Sequence, residues 1–192
     1  MSYKKVTKIE ALNAIRTLLL WIGENPEREG LIETPERIIK SYAEKFSGYH
    51  KDPADILAKQ FSETSGYSGI IILSDINVES HCEHHFAPII GKAHIGYLPQ
   101  NRVVGISKLA RLVEMFAKRL QLQERLTAQI ANAIVTYLDP KGVVVMIEAK
   151  HHCICHRGIQ HRDTMMVTSC FLGEFESNNT LQQQFLMQVR KS

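Results

Sequence analysis

The sequence predicts an α+β protein: a helical N-terminal segment over residues 1–68, then one structural unit over residues 69–192 in which helices lie on one face of an antiparallel sheet. Three observations predict this. Apolar residues recur at three- and four-residue spacing through the first third of the chain. The pattern changes to β-branched apolar runs near Gly69. From there the elements follow as strand, strand, helix, helix, strand, strand, and a last helix. Strand pairs joined by short links ask for antiparallel hairpins.

Each element has its own signal. Ile9, Leu12, Ile15, Leu18, Leu19 and Ile22 share one helical face that ends near Gly23. Thr34-Pro35 reads as a helix start, with Thr as the cap and Pro in the first turn, ahead of Ile38, Ile39, Tyr42 and Phe46. Asp52-Pro53 opens a shorter helix to about Gln60, and residues 62–68 read as a loop. Gly69 to Glu79 and Pro88 to Tyr97 are strands, with Gly91 marking a candidate bulge. Ser107 caps a helix that buries Leu109, Leu112, Val113 and Phe116. A second helix, from about Gln123 to Leu138, carries Leu126, Ile130, Ile134 and Leu138 on one side. Asp139-Pro140-Lys141-Gly142 is a turn, Val143 to His152 and Thr164 to Leu172 are strands, and the last helix presents Leu181, Phe185, Leu186 and Val189.

The chain has 192 residues, 44% apolar and 22% charged, which is ordinary for a globular protein of this size. No apolar run approaches the 18 or so residues of a membrane span. The opening MSYKKVTKIEALNAI has neither the apolar core nor the cleavage site of a secretory signal, so the reading is a cytoplasmic protein without a membrane partner. A net charge of +3 is too mild for a general nucleic-acid binder. The positive excess lies beyond residue 70, which favours a local basic pocket over a basic surface.

All four cysteines and eight of the nine histidines fall between residues 81 and 170. In a cytosolic chain that clustering points to a metal or to chemistry rather than to a disulfide framework. Ser80-His81-Cys82-Glu83-His84-His85 follows one strand, and His151-His152-Cys153-Ile154-Cys155-His156 ends another. Cys82 and His85, three apart, can grip one ion within a turn, and a cysteine of the second cluster completes three ligands. Thiolate and imidazole favour zinc, and three protein ligands leave the open position of a catalytic site. Residues two apart in a strand face the same side, so spacing leaves Cys153 and Cys155 equal. Cys170 has no histidine neighbour and reads as core.

Anion recognition is the second theme. Ser107-Lys108-Leu109-Ala110-Arg111 begins a helix, where backbone N–H groups attract anions, and Lys108 and Arg111 share a face. Arg37 and Lys40 repeat that spacing on an N-terminal helix, and Arg157 follows the second Cys/His cluster. Gln123-Glu124 opens a helix. A first-turn Glu suits the helix dipole, and its functional alternative is a carboxylate accepting two N–H bonds from a guanine edge.

Cys82-Glu83-His84-His85-Phe86, Gly105 to Arg111, Gln123-Glu124-Arg125-Leu126-Thr127, His151-His152-Cys153 and Arg157-Gly158-Ile159-Gln160 together resemble the GTP cyclohydrolase I family. Glu33-Thr34-Pro35-Glu36-Arg37-Ile38 and Phe185-Leu186 also look like that family, so the resemblance runs from about residue 8 to residue 190. It implies the tunnelling fold, whose unit is the strand–strand–helix–helix–strand–strand order. It implies a homodecamer of two stacked pentamers with active sites at subunit boundaries, and conversion of GTP and water to 7,8-dihydroneopterin triphosphate and formate, the opening step of pterin and tetrahydrofolate synthesis. It implies Zn2+ held by Cys82, His85 and Cys153, which sets Cys155 aside, and His84 and His151 as catalytic histidines. Ser107, Lys108, Arg111 and Arg157 correspond to triphosphate contacts, Arg37 and Lys40 to further pocket residues, and Gln123 and Glu124 to the guanine pair. Cys155 and His156 make the second cluster richer in metal-binding groups than the family usually shows. Two rival readings exist: a zinc-free relative of the same fold with a nucleophilic cysteine, acting on purine- or pterin-like molecules, and a zinc-stabilised binding protein. The intact Cys-Glu-His-His with His-x-Cys argues against the zinc-free relative.

Overall fold

A computed structural model describes residues 5–62 and 66–190. Of the loop expected over 62–68, residues 63–65 lie outside the described residues. The chain divides into two compact units, 1–47 and 48–192. By packing, the division precedes the change of pattern at residue 68, because Leu57 is fully buried in the core of the second unit.

In the first unit, α1 (Lys8–Trp21) starts on a reciprocal cap. The Thr7 hydroxyl accepts from the Glu10 amide at 3.2 Å, and the Glu10 carboxylate accepts from the Thr7 amide at 2.8 Å. No residue of α1 is fully buried: Leu12, Ile15 and Leu19 of its expected apolar face are half-buried, while Ile9, Leu18 and Ile22 stay exposed. α2 (Thr34–Lys45) begins one residue earlier than its Thr-Pro signal suggests. Thr34 donates its amide to the Leu31 carbonyl, and Glu33 takes the cap position without a side-chain bond.

In the second unit, α3 (Pro53–Leu57) is capped by Asp52, which accepts from the Ala54 amide at 2.8 Å. It stops short of Gln60, because Gln60–Phe61 pair as β1 with β4 (Val103–Val104). The main sheet is built from β2 (Ile71–Cys82), β3 (Pro88–Leu98), β5 (Leu120–Gln121), β6 (Gly142–His151) and β7 (Met166–Gly173). Their order is β5-β2-β3-β6-β7, antiparallel except for the short β2–β5 pair. Between the two hairpins run α4 (Ile106–Ala117) and α5 (Gln123–Leu138). This is the expected strand–strand–helix–helix–strand–strand unit of the tunnelling fold.

Period-two alternation makes both faces of the sheet apolar. Val143, Val145 and Ile147 point to one face and join Leu109, Leu112, Met115, Leu126, Ile130 and Ile134 of the two helices. Val144 points to the other and meets Phe175 and Phe185. Phe175 lies in the short α7 (Glu174–Ser177) and Phe185 in α8 (Asn179–Val189), so the C-terminal helix covers the face opposite α4 and α5. α8 is capped by Asn178, which accepts from the Leu181 amide. No helix among the described residues is long and apolar enough to cross a membrane.

Two local expectations change. The bulge sits on β2 between Leu73 and Ile76, where Asp75 takes φ 57°, and not at Gly91. Gly91 pairs regularly with Val78 and Ala149. Gly105, not Ser107, is the cap of α4, and Ser107 sits in its first turn.

The bulge turns the Asp75 amide toward His94 on β3, whose Nδ1 accepts it at 3.2 Å. Nε2 therefore carries the proton, 3.9 Å from a Glu148 oxygen and without a hydrogen-bond partner among the described residues. Burial holds the His94 pKa below its ordinary 6.5 against the opposing carboxylates of Asp75 and Glu148. Above 6.5 the ring is neutral whether or not the chain is folded. Below it the unfolded chain takes up a proton that the folded chain resists, so stability falls as pH drops through that value. Urea unfolding at about pH 7.5 and about pH 5.5 should show a falling midpoint that falls less in His94→Gln. Equal falls would place the loss elsewhere.

Candidate active site

Strand register explains how two clusters seventy residues apart in sequence come together. The start of β3 is paired on both sides: Pro88 with His81 near the end of β2, and Ile89 with His151 at the end of β6. Both clusters thus emerge at the same end of the sheet. After Cys82 the chain turns tightly, with the Phe86 amide on the Cys82 carbonyl at 2.8 Å and Phe86 in the left-handed region at φ 55°. After His151 the chain enters a single helical turn, α6 (His152–Cys155), where the sequence reads as continuing strand. Cys153 and Cys155 are both buried, but strand alternation does not relate them.

Cys82, His85 and Cys153 bring ligand atoms within 4.8 Å of one another. Cys82 Sγ lies 4.0 Å from Nδ1 of His85 and 4.0 Å from Nδ1 of His84. Burial, and then the neighbouring Cys82 sulfur, push the Cys153 thiol above its ordinary range. The Cys153 thiol therefore resists ionising in the empty group, and a cation beside it reverses that balance. Two soft sulfurs and an imidazole at this spacing fit a zinc-class ion.

His151 is half-buried, and its Nε2 lies 2.8 Å from Oε1 of Gln123. Burial lowers its pKa, and the Glu124 charge partly offsets the effect. Gln123, expected at a guanine edge, is fully buried. Its amide nitrogen donates to the carbonyls of Ile147 and Met166, both at 3.0 Å, and to Thr168 Oγ1 at 3.2 Å. Its side chain is thus engaged within the protein, and Glu124 is the exposed member of the pair.

Arg157 places Nη1 3.0 Å from Nε2 of His85, which brings one expected anion contact to the edge of the metal group. Ser107 and Arg111 are exposed and Lys108 half-buried on the first turns of α4. In the first unit, Arg37 and Lys40 are exposed on α2, Arg37 paired with Glu33 at 2.5 Å. Within the second unit, no hydrogen bond or ion pair among the described residues joins Ser107, Lys108 or Arg111 to Cys82, His85 or Cys153.

Sequence reasoning missed Arg125. Its guanidinium forms an ion pair with Glu83, donates to the Leu120 carbonyl at 3.0 Å and to Gln121 Oε1 at 3.1 Å, and so ties the turn after Cys82 to α5. The two charges are 42 positions apart, and no spacing rule could have paired them.

The GTP cyclohydrolase I family model matches residues 11–190. A GTP cyclohydrolase 1 of Pelagibacter ubique is 51% identical over 188 residues, covering 98% of this chain and 93% of that protein. One from Brucella abortus is 50% identical over 188 residues, covering 98% and 88%. Among solved structures, the archaeosine synthase QueF-like protein in its apo form covers 56% of this chain and 96% of its own at 17% identity, with a TM-score of 0.46. With the family model spanning nearly the whole sequence and relatives half identical along it, the chain belongs to the GTP cyclohydrolase I family and is an enzyme of that kind.

Proposed function

We propose that this chain opens the imidazole ring of GTP with water, releases formate and rearranges the remainder to 7,8-dihydroneopterin triphosphate, the first step of pterin and tetrahydrofolate synthesis in the cytoplasm. The observation that carries the reading is the meeting of Cys82, His85 and Cys153 within 4.8 Å at the same sheet end as His151. Those three side chains would hold Zn2+. When bound, the ion supplies Lewis acidity that lets water act as a nucleophile at neutral pH.

The chain's own residues do the rest. Glu124, exposed at the first turn of α5, accepts N–H bonds from the guanine edge. Lys108, Arg111 and Arg157 bind the triphosphate together with Ser107. Binding energy from these remote groups fixes the reacting carbon in place. His151 donates a proton to the ring nitrogen beside that carbon. His84, exposed beside Cys82, positions the attacking water or relays protons to it.

The assembly is a decamer of two stacked pentamers with sites at subunit boundaries. Both sheet edges support ring formation. Among the described residues, β7 is paired on one side only, with Met166 and Val167 exposed, and β2 has a partner on its outer side over just His81 and Cys82. Long, partly apolar open edges favour pairing with another copy, and two different edges close a ring.

The test adds GTP to purified zinc-loaded protein and reads pterin fluorescence and formate. Both should appear together. Glu124→Ala should raise KM for GTP by about 10- to 100-fold, the worth of a charged hydrogen-bond pair, with metal content unchanged. An unchanged KM would remove Glu124 from the site, and absence of both products from the parent protein would overturn the reaction.

A further inference from the structure

We infer that Gln123 is a positioning residue that locks His151 as the Nε2–H tautomer, leaving Nδ1 as the nitrogen that faces the substrate. This deepens the proposed role of His151 and rests on it for the chemistry, but not for the tautomer.

The argument starts from groups whose hydrogen-bonding sense is fixed. The carbonyls of Ile147 and Met166 can only accept. Each lies 3.0 Å from the same terminal atom of Gln123, so that atom is the amide nitrogen. The other terminal atom is then the carbonyl oxygen, which also can only accept, and it lies 2.8 Å from His151 Nε2. Nε2 must carry a hydrogen.

A second chain of bonds holds the amide in that orientation. Thr127 Oγ1 gives its hydrogen to the Gln123 main-chain carbonyl at 2.8 Å. In the 2.7 Å contact between Thr127 and Thr168, Thr168 is therefore the donor. Its oxygen is left to accept from the Gln123 amide at 3.2 Å. Gln123 is fully buried and Thr127 nearly so, so the amide must find its partners within the protein. Flipping the amide would set oxygen against two carbonyls and nitrogen against an N–H.

The lock permits proton transfer without rearrangement. In the imidazolium both ring nitrogens carry hydrogen. The Nδ1–H bond breaks toward the guanine ring nitrogen, whose lone pair forms the new N–H bond, and the electron pair stays on Nδ1. What remains is the neutral Nε2–H ring, still bonded to Gln123 Oε1. His151 thus acts through one nitrogen while Gln123 holds the other.

The test uses zinc-loaded, full-length protein with 15N-labelled histidine, in which nitrogen–proton correlation spectra show which ring nitrogen carries hydrogen. The His151 signals are assigned by their loss in His151→Ala. The parent protein should show the Nε2–H form. Gln123→Met should show mixed tautomers, with kcat lowered on the order of 10- to 100-fold and with KM for GTP and zinc content unchanged. If Gln123→Met fails to fold, Thr168→Val, which removes one anchor of the amide, should show the same mixing to a smaller degree. A parent protein with Nδ1–H would overturn the inference. So would a Gln123→Met protein with a raised KM and unchanged kcat, which returns Gln123 to the guanine edge. Full turnover in His151→Ala would instead remove the acid role and leave the tautomer assignment standing.

Discussion

Replacing Cys153 by serine is expected to remove bound zinc and formate release together. Cys153 is one of three side chains whose ligand atoms lie within 4.8 Å, and it is the one that ties the end of β6 to the turn after β2. Losing a partner that merely orients a ligand costs about 10- to 100-fold in metal affinity. Losing a ligand should therefore cost more than about 100-fold. Cys155→Ser is the matched control. Cys155 is as deeply buried but lies outside the ligand group, so its zinc content should stay at the parent level. Metal analysis after gel filtration, read beside formate release, separates the two. A Cys153→Ser protein that keeps both metal and turnover would place the ion elsewhere.

Gly91→Ala is expected to have a large effect on stability. An added Cβ would stand 2.0 Å from the Glu148 carbonyl oxygen and 2.5 Å from Cα and Cβ of Ala149. These atoms belong to the facing strand, so no side-chain rotation relieves the clash and β3 must part from β6. Overpacking costs about 1–3 kcal/mol where side chains can adjust, and a backbone obstacle should cost at least about 3 kcal/mol. Gly105→Ala makes the contrast, because its added Cβ meets nothing within 4 Å. There the loss should stay near 1 kcal/mol, the scale of a changed helix cap. Thermal unfolding compares the two. The same β3–β6 pairing brings His151 beside Ile89, so Gly91→Ala should also weaken zinc retention. A melting temperature unchanged by Gly91→Ala would contradict the register.

The order of elements was legible because each relies on local signals: β-branched runs, three- and four-residue spacing, and helix starts such as Asp52-Pro53. The metal group was legible because Cys82 and His85 lie in one turn and chemistry limits what such a cluster does. What stayed hidden depends on pairing at a distance. Gly91 looks like a bulge from its neighbours alone, and its true constraint, the Glu148 carbonyl, is set by β6. The real bulge at Asp75 is compensated by His94 on the next strand. Strand alternation left Cys153 and Cys155 equal, and the helical turn of α6 removes that premise. Gln123 reads as a ligand-facing amide until Ile147, Met166 and Thr168 are brought against it. Arg125 is invisible until Glu83 stands opposite.

X-ray absorption at the zinc edge of the purified, zinc-loaded protein tests the centre of the account most directly. Cys82, Cys153 and His85 predict two sulfurs at about 2.3 Å and one imidazole nitrogen at about 2.0–2.1 Å, with the fourth position not taken by protein. A third sulfur from Cys155, or a second imidazole from His84 closing the coordination sphere, would contradict it.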